Sequence, residues 1–258
     1  MKRTAPPRTP SIQSLGRGLS ILEAVAESGE PVPLKDLTAL LGIDRSSVFR
    51  LATTLKRHRF LAMAPGRTDY VLGPSVWRLS RRCGQNLLTT LCREELRRLS
   101  ARTGETAHLA VREGTFALFI DHCSPSARVV TVLGQTGELV PLHCSAHGKA
   151  LIAGMPAAEL RVLFGTTRLA ARTSRTIVTI AGLAKACTTT ARLGVATDEG
   201  EDVDELRCVA APIRDQDGVI VASIGISAPV TRFPPSRRVR ASQQVAEAAQ
   251  AVTRTLQR

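Results

Sequence analysis

The chain has 258 residues, enough for two domains of ordinary size. Its longest apolar runs, such as 219–226, fall far short of the roughly 20 residues that cross a bilayer. The net charge of +13 favours a polyanionic partner, nucleic acid above all, and six scattered cysteines without CxxC spacing suit reduced thiols in the cytoplasm rather than a secreted disulfide framework. Residues 1–82 hold 14 Lys/Arg against 6 Asp/Glu, a net of +8, whereas the remaining 176 residues carry only +5. The basic partner surface is therefore expected near the N-terminus.

In chain order, residues 1–11 contain charges and prolines but no apolar core, which predicts a disordered tail and not a secretory signal. Leu15, Leu19, Leu22 and Val25 repeat at helical spacing up to Gly29, predicting a first helix over 15–28. A short second helix is expected over 34–41, closed by a Gly42-Ile43 turn, and Asp44 is a good N-cap for a third. Val48, Leu51 and Leu55 form that helix's buried stripe, while Arg45, Ser46, Ser47, Arg50, Thr54 and Arg57 face outward. Two helices joined by a glycine turn, the second opening with small polar and basic residues, make a helix-turn-helix pattern. Residues 60–63, a Pro65-Gly66-Arg67 turn and 70–72 predict a two-stranded wing with a basic tip. The expected DNA contacts are thus these six residues of the third helix, with Arg17 on the first helix and Arg67 on the wing. The bland alternative is a small helical domain with a solvated basic face.

Residues 75–99 read as one or two helices connecting the domains. From 107 the period changes to two, with strands expected at 107–112, 116–122 and 129–133. Helices follow over 145–155 and 181–193, then strands at 206–213 and 219–227 around an Asp215-Gln216-Asp217-Gly218 turn, and a closing helix at 236–256. The pattern predicts an α+β domain with a mainly antiparallel sheet flanked by helices.

The segments Ser14-Leu15-x-Arg17-Gly18-Leu19-x-Ile21-Leu22-Glu23, Arg45-Ser46-Ser47-Val48-x-Arg50-Leu51-x-Thr53-Thr54-Leu55 and Tyr70-x-Leu72-Gly73 resemble the IclR family of bacterial transcriptional regulators. The likeness continues at Pro141-Leu142-His143-Cys144-Ser145-Ala146-x-Gly148-Lys149-Ala150-Leu151, at 208–215 and at 225–229, in order over about 13–251. The resemblance implies a winged helix-turn-helix domain over 12–74 and a GAF-like effector-binding and oligomerisation domain over 100–258. It also implies a homodimer or tetramer, often a repressor, acting on a double-stranded DNA operator under control of a small organic effector.

Ser145 is placed to cap a helix, which would leave the Ala146 and His147 amides unpaired at a helix start, a ready site for a carboxylate; the plainer reading is a cap and nothing more. The resemblance implies an acid effector at this turn, with pocket positions at Val129, Val140, Ala146, His147, Asp198, Leu206 and Cys208. Leu206 and Cys208, two apart on a strand, share a face. His147 departs from the family pattern, in which many members carry a small or aliphatic residue. Asp198 would repel an acid unless it accepts from a ligand hydroxyl or is partly protonated. His143-Cys144-x-x-His147 has ligand types for zinc but no third and fourth ligand, Cys144 and Cys208 lack an oriented base, and Gly148-Lys149 lacks the rest of a phosphate loop. No metal, cofactor or catalytic residue is therefore expected. The alternative is a hydrolase or zinc-dependent enzyme with an accessory basic DNA-binding domain.

Overall fold

The computed structural model describes residues 12–83, 87–125 and 134–257. The expected tail at 1–11, the strand at 129–133 and the pocket position Val129 lie outside the described residues. The chain divides into two compact units, 1–85 and 86–258.

In the first unit, α1 (Gln13–Ser28), α2 (Leu34–Leu41) and α3 (Arg45–Arg57) precede a two-stranded antiparallel wing, β1 (Leu61–Met63) and β2 (Tyr70–Leu72), and then α4 (Pro74–Cys83). Ile21, Val25, Leu37, Val48, Ala52, Leu61 and Tyr70 form the core, one apolar stripe from each element. Gly42, at φ 60°, closes α2 in the left-handed conformation that glycine adopts without steric cost. Two residues later Asp44 caps α3, its carboxylate accepting the Ser47 amide at 2.9 Å.

The second unit contains α5 (Leu87–Thr103), β3 (Thr106–Glu113), β4 (Phe116–Cys123), β5 (Leu139–Pro141), α6 (Ala146–Leu151), α7 (Ala157–Phe164), α8 (Ile180–Leu193), β6 (Ala196–Asp198), β7 (Leu206–Arg214), β8 (Ile220–Pro229) and α9 (Pro235–Leu256). The strands form one antiparallel sheet in the order β5-β4-β3-β8-β7-β6. Strand alternation sorts its two faces. Leu109 on β3, Val209 on β7 and Ile224 and Ile226 on β8 point to a core shared with Cys92, Leu96 and Leu99 of α5 and Val245 and Val252 of α9. The stretch 75–99 expected as a connector is thus divided: α4 falls in the first unit, and α5 is a core helix of the second. The other face carries His108, Ala110, Phe119, Ser223, Cys208 and Ala210 toward α6 and α8.

Candidate functional site

Most of the residues expected to meet DNA are exposed. Arg45, Ser46, Arg50, Thr54 and Arg57 are exposed, as is Arg67 on the wing, while Ser47 and Arg17 are half-buried. Their hydrogen bonds refine the expectation. The Ser46 hydroxyl donates to Asp44 Oδ1 at 2.6 Å, and the Thr54 hydroxyl donates to the Arg50 carbonyl at 2.9 Å. Hydrogen bonds from Ser46 first, then from the Ser47 amide and hydroxyl, hold the Asp44 carboxyl far below the usual carboxylate range. Ser46 and Thr54 have therefore spent their only donor protons inside the helix, and each offers DNA only an acceptor. Among the residues expected to meet DNA, the arginines carry the charged donors along this face.

In the second unit α6 lies against the sheet, and all six of its residues are buried. Ser145 caps it as expected, accepting the Gly148 amide at 3.0 Å while its hydroxyl donates to the Pro141 carbonyl at 2.7 Å. Ala146 and His147 occupy the first turn, ahead of the first intrahelical bond, which runs from the Lys149 amide to the Ser145 carbonyl. His147 is 2% exposed, and its Nδ1 sits 2.9 Å from Ser223 Oγ on β8. Its ring packs edge-on to Phe119 at 5.2 Å and to His108 at 6.0 Å, and His108 stacks on Phe119 at 4.7 Å. His147 Nε2 and both ring nitrogens of His108 make no hydrogen bond of good geometry. Burial, then His108, pushes the His147 ring down to about 3; burial, then His122, pushes His108 down to about 4, with the nearby Gly134 carbonyl opposing weakly. Both rings are neutral at pH 7.

Asp198, 2% exposed at the end of β6, is opposite Cys208 on β7. Its Oδ1 accepts the Gly200 amide at 2.9 Å and the Glu201 amide at 2.6 Å. This closes the turn that follows β6, a role the sequence reading missed. Burial nonetheless pushes its carboxyl up to about 6. A raised carboxyl means that the folded chain binds this proton more tightly than the unfolded one, so stability is lost as pH rises from about 4 to about 6. Asp198→Asn retains an oxygen acceptor for the two amides and removes that loss. It is expected to gain up to about 3 kcal/mol over the parent at pH 7.5, fading toward pH 4. Urea unfolding at both pH values checks this, and an equal difference at the two would contradict it.

Cys208 Sγ lies 3.3 Å from Ser227 Oγ, Leu206 and Val140 are half-buried, and Val140 pairs with Ala117 across β4 and β5. The pocket positions Val140, Ala146, His147, Asp198, Leu206 and Cys208 are thus spread from one edge of the sheet to the other and over α6. His143, by contrast, is tied by Nε2 to the Ala170 carbonyl at 2.8 Å. The buried Cys144 thiol, 3.6 Å from Asp202 Oδ1, is pushed up by burial and the acids around it, the reverse of what a nucleophile needs. Sequence reasoning also missed His108, Phe119 and Ser223, which three different strands bring together, and Lys149, whose ammonium is paired with Glu201 beneath α6. Alternation on β3 was the available signal: His108 falls between Ala107 and Leu109, both buried on the opposite face.

Comparison with known proteins identifies the family. The IclR helix-turn-helix domain matches residues 14–64, and the domain described as bacterial transcriptional regulator IclR C-terminal matches 84–254. The chain is 31% identical over 252 residues to the transcriptional repressor IclR of Escherichia coli, covering 96% of this chain and 91% of that one. It is 28% identical to the HTH-type transcriptional regulator XynR of the same organism, covering 96% and 98%. An IclR homologue from Microbacterium hydrocarbonoxydans, solved in complex with 4-hydroxybenzoate, superposes with a TM-score of 0.80 at 20% identity, covering 95% of this chain and 99% of that one. The two family domains together span most of the sequence, and the chain belongs to the IclR family of DNA-binding bacterial transcriptional regulators.

Proposed function

We propose that this regulator is a cytoplasmic repressor, a dimer or tetramer, that leaves its operator on binding a small monocarboxylic acid in the second unit. The DNA half of the reading places α3 in the major groove of each half of a pseudopalindrome, with Arg50 on base edges and Arg67 on phosphate or in the minor groove. The observation that carries the effector half is the group of buried polar side chains beneath α6. His108, His147 and Asp198 are almost wholly buried, yet three ring nitrogens make no hydrogen bond of good geometry, and such groups are costly unless a ligand or water meets them. With its carboxyl already raised to about 6, Asp198 takes a proton once a ligand carboxylate beside it raises it further, and a protonated Asp198 can donate to that carboxylate. The Ala146 and His147 amides, free at the start of α6, are the other donors for that one carboxylate, and a hydroxyl on the same acid suits the imidazole nitrogens. The repressor names among its relatives and the 4-hydroxybenzoate held by a similar fold point the same way.

The test is binding to DNA from upstream of the protein's own gene, with and without a panel of hydroxylated monocarboxylates. Arg50→Ala is expected to cost about 1–3 kcal/mol and to relax one position of the site, whereas Arg67→Ala weakens all sequences alike and flattens the salt dependence. At a hundredfold excess over its Kd, the cognate acid should stabilise the protein by about 2.7 kcal/mol and release the DNA. Unchanged binding in both variants would refute the assigned DNA face. A panel without effect on either stability or DNA binding would refute the acid effector.

A further inference from the structure

The exposed flank of α3 holds an aromatic side chain that the DNA reading so far does not use. Phe49 lies in the N-terminal half of the helix, immediately before Arg50, and is 53% exposed. Aromatic residues make up only 3% of the chain, and Phe49, at 53%, is more exposed than Phe116, at 40%. The core of the unit is filled without Phe49: Val48 and Ala52 are the buried residues of α3. It borders a groove of about 930 Å³ between the flank of α3, the start of α2 and the wing. Lys35, Arg45 and Lys56 line that groove against a single acid, Asp69, so the apolar ring sits in a strongly cationic setting. Such a setting suits a nucleic-acid strand better than the apolar face of another protein.

The chemistry of the neighbouring side chains narrows the role. Ser46, one turn before Phe49, has turned its hydroxyl proton to Asp44. An uncharged ring with no polar atom can read only one feature in the major groove, the 5-methyl group of thymine. We propose that Phe49 is a specificity-determining residue that packs on a thymine methyl in each half-site, while Lys35 and Lys56 grip the phosphates of the strand lying in the groove. This rests on the reading of α3 as the helix that enters the major groove. It adds Phe49, Lys35 and Lys56 to the DNA surface expected from sequence.

The experiment selects sites from a random-sequence duplex library with the full-length wild type, Phe49→Ala and Phe49→Leu. Each thymine of the enriched site is then replaced by deoxyuridine, which lacks only the methyl. For the wild type, one thymine per half-site should lose about fourfold in affinity on replacement, the value of burying one methyl-sized group. Phe49→Ala should lose the preference at that position and be indifferent to the replacement, while Phe49→Leu, still apolar, retains part of both. Lys35→Ala and Lys56→Ala should each lower the salt slope on unrelated DNA by about one phosphate contact without changing the selected sequence. The same motif and the same deoxyuridine penalty in Phe49→Ala would overturn the proposal. So would a Phe49→Ala variant that changes the oligomeric state in sedimentation while keeping the motif, which would make this face a contact between copies of the chain. If the wild type enriches no motif, sequence-specific reading by α3 fails with it; if it enriches one that Phe49→Ala shares, Phe49 alone is wrongly assigned.

Discussion

Gly148→Ala is expected to destabilise the second unit by about 3 kcal/mol, at the upper end of what overpacking costs. A methyl built on Gly148 would stand 2.3 Å from Leu142 Cα, 2.4 Å from its carbonyl oxygen and 2.6 Å from its carbonyl carbon. These are backbone atoms, so no rotamer change can relieve the clash. Leu142 cannot retreat, because it is fully buried and its amide is bonded to the Thr115 carbonyl at 3.0 Å. The helix cannot lift either without breaking the Ser145 cap and exposing Ala146 and Ala150, which pack on Ala196 and Ala210 of the sheet. For a unit of this size the loss amounts to about 6–12 °C in Tm. Gly16→Ala in α1, where nothing lies within 4 Å, serves as the control and should be neutral or slightly stabilising. Calorimetry of the two variants decides the matter. A Gly148→Ala protein that melts within a degree of the parent would mean that α6 is not held against the 142–145 turn as described.

That turn shows what the sequence could and could not convey. Ser145 as a cap was legible because capping is local: a hydroxyl, three residues and one amide. Asp44 and Gly42 were legible for the same reason. The consequence of the Asp44 cap for recognition was not, because Ser46 and Ser47 look equally available to DNA until their protons are seen turned toward Asp44. The strands β5 and β6 escaped because each has only three residues, too few for alternation to show, and each exists by pairing with a longer strand. The burial of α5 was present in the sequence as Cys92, Leu96 and Leu99 at helical spacing, but the basic residues between them suggested a connector. Among the candidate site residues, Val140, Ala146, His147, Asp198, Leu206 and Cys208 were named by motif resemblance. His108, Phe119 and Ser223 are more than ten, and up to 115, residues apart and meet only through sheet register, which no local pattern encodes.

A long-range ion pair beneath α6 supports the other large effect. Lys149→Ala is expected to cost about 3 kcal/mol at pH 7.5, the lower end of what breaking a buried ion pair costs. The Lys149 ammonium and the Glu201 carboxylate pair across 52 positions, with side chains 4% and 12% exposed. Glu201 is fixed independently of Lys149: its amide donates to Asp198, and its carbonyl accepts the Thr176 hydroxyl at 2.7 Å. The carboxylate therefore stays in place when the lysine is removed, with its Oε2 already lacking a partner. The lower end of the range applies because a cavity of about 550 Å³ between α8, β6 and α9 borders the pair and can admit water. Burial, the largest influence on Glu201, raises its carboxyl, and Lys149 opposes it. Without Lys149 the carboxyl rises further, so the variant binds its proton more tightly when folded than unfolded. Its deficit should consequently widen as pH rises above the ordinary carboxylate range and shrink toward pH 4. A double variant, Lys149→Met with Glu201→Gln, removes both charges and should recover most of the loss at pH 7.5, because a neutral pair of similar volume carries no desolvated charge. Urea unfolding of the single and double variants at both pH values measures the coupling. A deficit independent of pH, with no recovery in the double variant, would show that Lys149 contributes by its packed stem alone.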